Sequence, residues 1–200
     1  MAISAAQVKE LRDMTGAGFM ECKSALAEAD GDLDKAITVL RTRGQAKAEK
    51  RAGRTTAQGL VGHYIHQGGQ VAVLVEVNCE SDFVARTADF QTLVREIAMH
   101  IAAANPQCVR REEVPTEDLE REREIVRAQF AHSNKPPQVI EKIVAGKLNS
   151  YYEQVVLLDQ PSIREPKTTI GQMVTAAIAK LGENITVARF ARFKVGEASA

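Results

Sequence analysis

Residues 77–87, Val-Asn-Cys-Glu-Ser-Asp-Phe-Val-Ala-Arg-Thr, set a thiol, two carboxylates and two hydroxyls around one large apolar side chain, in a chain with six Phe and no Trp. They follow an apolar run, Val71 to Val77, that reads as a buried strand. Covalent chemistry at Cys79 would need a base beside the thiol. The sequence places no His there, so Cys79 reads as a small buried hydrophobe. No pair of carboxylates stands out from the many Asp and Glu as a general acid and base. His63 and His66 lie three apart on a predicted strand and point to opposite faces. His100 falls on a helix and His132 in a polar stretch, so all four histidines read as structural or surface residues, with no metal site. Lys23-Ser24 resembles the end of a phosphate-binding loop, but that loop needs G-x-x-x-x-G before the lysine so that bare backbone N–H groups can cradle phosphate. Cys22 and Ala17 stand where the glycines should be. The residues imply no cofactor.

Three short helices must carry the first of these groups. Ser4 and Gln7 form a capping box ahead of Val8-Lys9-Glu10-Leu11-Arg12-Asp13-Met14. Thr15 to Gly18 interrupts with two glycines, and a second helix follows from Phe19 to Ala29. Asp30-Gly31-Asp32 turns the chain, and Asp32 caps a third helix from Leu33. On the second helix Phe19, Cys22 and Leu26 share one face, and Met20, Lys23 and Ala27 share another. On the third, Leu33, Ala36, Ile37 and Leu40 make the apolar stripe. Residues 43 to 59 are basic and poor in large apolar side chains. They read as the tail of the third helix running into a linker, with a nucleic-acid arm as the alternative.

Beyond that stretch the pattern changes. Two β-rich runs flank Gly68-Gly69 and predict a hairpin, with Val71, Val73, Val75 and Val77 on one face. A helix from Ala88 to Ala104 carries Phe90, Leu93, Val94, Ile97 and Ile101 on one stripe and ends at Asn105-Pro106. A highly charged helix follows Pro115-Thr116, with Glu117 and Arg121 as an i, i+4 pair. Pro136-Pro137 start another helix. A loop with two prolines precedes a helix from Ile170 to Leu181 and a closing strand from Asn184. Strands in the middle and at the end, with helices between, predict an α+β fold: an antiparallel sheet packed against helices. The domains expected are a three-helix domain with its linker over residues 1–54 and an α+β core over 55–200.

Composition narrows the classes of function. With 44% hydrophobic and 26% charged residues and a formal net charge of zero, the chain is of ordinary globular make-up. It has no field of one sign for nucleic acid or an anionic membrane. Neither a secretory signal nor a window of about 20 apolar residues is present. Three scattered cysteines suit reduced thiols in the cytoplasm.

Taken in order, Val-Lys-Glu-Leu-Arg-Asp-Met-Thr-Gly-Ala-Gly-Phe-Met-Glu-Cys-Lys-Ser-Ala-Leu from Val8 and Val-Asn-Cys-Glu-Ser-Asp-Phe-Val-Ala from Val77 resemble the bacterial elongation factor Ts family. Ile97–Pro106, Lys147–Pro161, Thr169–Val174 and Val187–Glu197 extend the resemblance over nearly the whole chain, in the family's short form with a single core unit. The resemblance implies a ubiquitin-associated-like three-helix domain ahead of an α+β core. It implies a guanine-nucleotide exchange factor, with no covalent chemistry, that acts on elongation factor Tu in translation. Such a factor binds the GDP complex, disturbs its magnesium site and promotes exchange of GDP for GTP. By the same resemblance Ser81, Asp82, Phe83 and Val84 form the tip that dislocates the partner's magnesium. Thr is commoner than Ser in the family at the first of these positions. Arg12, Phe19, Met20 and Lys23 match positions that touch the partner. Phe19, usually Met in the family, is core by the stripe above and contact by the resemblance. His66 loosely matches a partner-touching histidine of the second core unit in long members. A single core unit implies a cytoplasmic homodimer that repeats the long form's pseudo-symmetry, with no direct nucleic-acid or membrane partner. An RNA-binding module built on Lys47 to Arg54 and an enzyme using Cys79 are the competing readings. The zero net charge weighs against the first.

Overall fold

The chain's structure, a computed structural model, describes residues 3–130, 133 and 135–197, so His132 lies outside the described residues. Two compact units account for the fold. One comprises Met1–Leu60, Val77–Leu93 and Met173–Thr186, the other Val61–Glu76, Val94–Gln172 and Val187–Ala200.

The first unit opens with α1 (Ala5–Thr15), α2 (Phe19–Glu28) and α3 (Leu33–Glu49). The capping box forms as expected: the Gln7 N–H donates to Ser4 Oγ at 3.3 Å and the Ser4 N–H donates to Gln7 Oε1 at 3.0 Å. Asp32 caps α3 through the Lys35 N–H at 3.0 Å. Gly16, at φ 65°, closes α1 in the left-handed conformation that glycine adopts without penalty, and its N–H donates to the Arg12 carbonyl at 2.7 Å. Val8, Leu11, Cys22, Ala25, Leu26 and Ala36 make the core of this bundle. Helix α3 takes up the first part of the basic stretch, as far as Glu49. Its later turns bury Gly44 and Ala48, and a Cβ added at Gly44 would lie 3.3 Å from that of Ala179. Arg43 pairs with Glu28 at 2.6 Å, Lys47 pairs with Glu21, and Arg54 reaches Glu80 at 3.5 Å. Carboxylates thus pair with three of the cations in this stretch, Arg43, Lys47 and Arg54.

Strands β1 (Gln58–Ile65), β2 (Val71–Cys79) and β3 (Ile185–Lys194) form one antiparallel sheet in the order β1-β2-β3. Gly68 and Gly69, at φ 90° and 71°, make the hairpin turn, closed by the His66 N–H on the Val71 carbonyl at 2.8 Å. Period-2 alternation holds: Val73, Val75 and Val77 are buried. A four-residue helix, α4 (Asp82–Ala85), follows β2, and α5 (Ala88–Ala104) buries the whole expected stripe of Phe90, Leu93, Val94, Ile97 and Ile101. Asn105, at φ 50°, stops it.

In the second unit α6 (Thr116–Phe130) packs on α7 (Pro137–Val155) through Val126, Val144 and Leu148. Arg121 pairs with Asp118 at 3.1 Å instead of the expected Glu117. The i, i+3 spacing serves as well as i, i+4 when an acidic residue stands there. His100 is buried, as a structural histidine: its Nε2 lies 2.9 Å from Gln160 Oε1, and its Nδ1 accepts the Ile163 N–H at 3.4 Å. Helix α8 (Ile170–Leu181) leads back into β3. The architecture is the α+β fold expected. No described helix is long and apolar enough to cross a membrane.

Candidate functional site

The tip begins where β2 runs out. Ser81 leaves the strand in an extended conformation, and its Oγ accepts the Val84 N–H at 3.3 Å, capping α4. One turn of helix results. Ala85 is buried beneath it, so Phe83 is turned outward. Phe83 is 77% exposed, the highest value for a large hydrophobic side chain among the described residues. Asp82 pairs with Arg86 one turn on at 2.6 Å. Cys79 is fully buried, and its Sγ donates to the Ser81 carbonyl at 3.1 Å. Burial, with the Glu183 carboxylate adding to it, pushes this thiol above its ordinary pKa. A neutral, enclosed thiol is a poor nucleophile, so the enzyme reading of Cys79 loses its basis.

Two carboxylates fix the base of the tip. Glu183, in the turn between α8 and β3, accepts the Glu80 and Ser81 N–H groups through Oε2 at 3.1 and 3.0 Å. Its Oε1 accepts the Ser81 hydroxyl at 2.6 Å. Glu80 reciprocates, accepting the Asn184 N–H at 2.6 Å. The buried Asn184 side chain in turn donates to the Arg54 carbonyl at 2.8 Å and the Ala52 carbonyl at 3.4 Å. Glu183 and Asn184 carry no signal of this role in the sequence. Gly182 before them signals a turn, but nothing along the chain pairs that turn with residue 80, about a hundred positions earlier.

The same unit carries the other candidate contacts. Arg12 and Lys23 are exposed, and Met20 is 69% exposed in the first turn of α2. Phe19 is 47% exposed, although Cys22 and Leu26 of its stripe are fully buried. It precedes the part of α2 that the bundle covers, so its ring is free for contact. Met14, 60% exposed, joins it at the junction of α1 and α2 and was not singled out from sequence, since a methionine inside a helix carries no signal of its own. This junction and the segment beyond the tip meet at one residue. A Cβ at Gly16 would lie 3.4 Å from Lys180 Cε, and the Lys180 ammonium donates to Asp89 at 2.7 Å. His66 belongs to the other unit, where it is exposed with Nδ1 3.1 Å from the Tyr64 hydroxyl.

Residues 5–197 match the family described as elongation factor TS. Among curated relatives, the elongation factor Ts of Heliobacterium modesticaldum is 55% identical over 198 residues, covering 99% of this chain and 92% of that protein. That of Solibacter usitatus is 57% identical over 196 residues, covering 98% and 92%. That of Fervidobacterium nodosum is 56% identical over 197 residues, covering 98% of this chain and all of that protein.

Proposed function

The chain belongs to the elongation factor Ts family, and from that premise we propose how its residues do the family's work as the guanine-nucleotide exchange factor of elongation factor Tu. The factor binds the GDP complex through two exposed sets of side chains. Arg12, Phe19, Met20 and Lys23 of the bundle supply two cations and two apolar anchors. Ser81 to Val84 supply the tip. The observation that carries the reading is the exposed Phe83 on a short helix whose base is tied down by Glu183 and Glu80. A phenyl ring held in water at a fixed place is ready to enter an apolar gap in a partner. Its burial there supplies about 1.5–3 kcal/mol.

The chemistry makes no bond. Magnesium in the partner demands near-ideal octahedral oxygen geometry at short distance, so a modest displacement of its ligands costs much of its binding. With magnesium disturbed, bound GDP loses charge neutralisation and leaves faster. Factor and nucleotide then weaken each other's binding by the same factor, as linkage requires. GTP reverses the process and displaces the factor. The protein works as a cytoplasmic homodimer, and neither nucleic acid nor membrane is a direct partner.

Release of fluorescently labelled GDP from elongation factor Tu tests the reading. Substoichiometric factor should accelerate release many-fold and turn over repeatedly. Release at the spontaneous rate would refute the exchange function, and acceleration abolished by thiol alkylation under native conditions would restore the enzyme reading.

A further inference from the structure

The contacts that hold the tip have a consequence for exchange itself. The tip helix is one turn long and cannot fix its own orientation, because a helix that short has almost no intrinsic stability. Its direction is set where it leaves β2. There Glu183 takes the two successive backbone N–H groups of Glu80 and Ser81 on one oxygen and the Ser81 hydroxyl on the other. The Ser81 hydroxyl is also the cap of the helix, since it accepts the Val84 N–H. A single carboxylate therefore grips the two residues that follow the strand, the second of which is the cap of the tip. Hydrogen bonds to an ionised acceptor are about twice as strong as neutral ones. Glu80 answers by holding the Asn184 N–H at 2.6 Å, which fixes the residue next to Glu183 in turn.

We propose that Glu183 is a positioning residue for exchange: it touches nothing in the partner and acts by holding Ser81, and through it Phe83, in the orientation that enters the partner. The proposal rests on the tip reading above.

The test measures labelled-GDP release across a range of factor concentrations, which separates the maximal rate from the concentration giving half of it. Glu183→Ala should lower the maximal rate about ten- to a hundredfold, the usual effect of displacing a working group by an ångström. The half-saturating concentration should change little, because Arg12, Met20 and Lys23 are untouched. Partial unfolding would do the reverse, raising the half-saturating concentration and sparing the maximal rate at saturation. Glu183→Gln should restore most of the rate. Its amide oxygen can accept both N–H groups, and its NH₂ can donate to the Ser81 hydroxyl. The double variant with Phe83→Ala should be no slower than Phe83→Ala alone, since both act through one tip. A normal maximal rate for Glu183→Ala beside a slow Phe83→Ala would overturn the positioning role. Additive losses in the double variant would do the same. A normal rate for Phe83→Ala would overturn the tip reading itself.

Discussion

Phe83 stays in water although only 4% of the chain is aromatic and a core could use every ring. A residue so placed adds little to folding, so its removal should be read in binding and not in stability. Phe83→Ala is expected to slow GDP release about ten- to a hundredfold, the equivalent of the ~1.5–3 kcal/mol of burial it forgoes in the complex. The unfolding midpoint should stay unchanged, and stopped-flow release beside urea titration checks both. Asp82→Ala breaks an exposed pair with Arg86 and should cost under about 1 kcal/mol of stability while impairing exchange. His100 behaves in the opposite manner, as a stability residue with no place at the surface. Burial lowers its pKa from the ordinary 6.5, with the bond to Gln160 opposing. The folded form thus holds fewer protons on it than the unfolded form. Stability is complete above pH 6.5 and is lost as pH falls from there toward the folded pKa. Protonation would also set a new N–H against the Ile163 N–H that Nδ1 now accepts. Urea midpoints between pH 7.5 and about 5.5 should fall less steeply for His100→Gln than for the unaltered protein.

Individual elements were read well wherever one local signal decided them. The stripe from Phe90 to Ile101 gives α5 its span, and Asn105-Pro106 gives it its end. The same is true of the capping box on α1 and the glycine turn between β1 and β2. Gly62 marks what local signals omit. A Cβ there would come 2.2 Å from Val94 Cγ1, so β1 rides directly on α5. Val94 is buried and stiff at χ1, hence Gly62→Ala should destabilise by about 1–3 kcal/mol, seen as a lowered midpoint in thermal unfolding. The length of α3 was obscured for a related reason. Gly44 and Ala48 look like linker residues in sequence, yet both are buried, and Gly44 lies close against Ala179. The exposed tip residues were legible by resemblance alone. Their clasp to Glu183 was not, because contacts across a hundred residues leave no periodicity. We propose that the boundary near residue 54 still separates two folding elements. A fragment of residues 55–200 should then fold with lowered stability, since Asn184 loses the Ala52 carbonyl it holds and Ala179 loses Gly44. It should exchange poorly for want of Arg12, Met20 and Lys23. Circular dichroism and GDP release on the fragment check this, and full exchange activity would remove the bundle from the contact surface.

At the scale of the whole molecule the sheet poses the remaining question. Strands β1 and β3 are both edges of a three-stranded sheet, and edges with unpaired backbone groups invite a partner. Alternation along β2 puts Leu74, 49% exposed, on the face opposite the buried Val73 and Val75. In β1, Gly62 faces Val94 and Val75, so Val61 and Ile65, 67% and 63% exposed, are turned the other way. That side of the sheet carries three large aliphatic side chains in water. The resemblance is to the short form of the family, with one core unit where long members carry two. We propose that a second copy related by a two-fold axis makes up the difference, with the same aliphatic patch presented by both subunits. Each elongation factor Tu would then meet the bundle and tip of one subunit and a core surface of the other, with His66 as a contact from that second subunit. Light scattering at micromolar concentration should give about twice the chain mass of 21.8 kDa for the free protein. Two factors should combine with two partner molecules in the complex. Val61→Glu with Ile65→Glu should return the free protein to one chain mass without unfolding it, because both side chains are already in water. A mass near 21.8 kDa for the unaltered chain, alone and per bound partner, would rule the dimer out and leave His66 without a role.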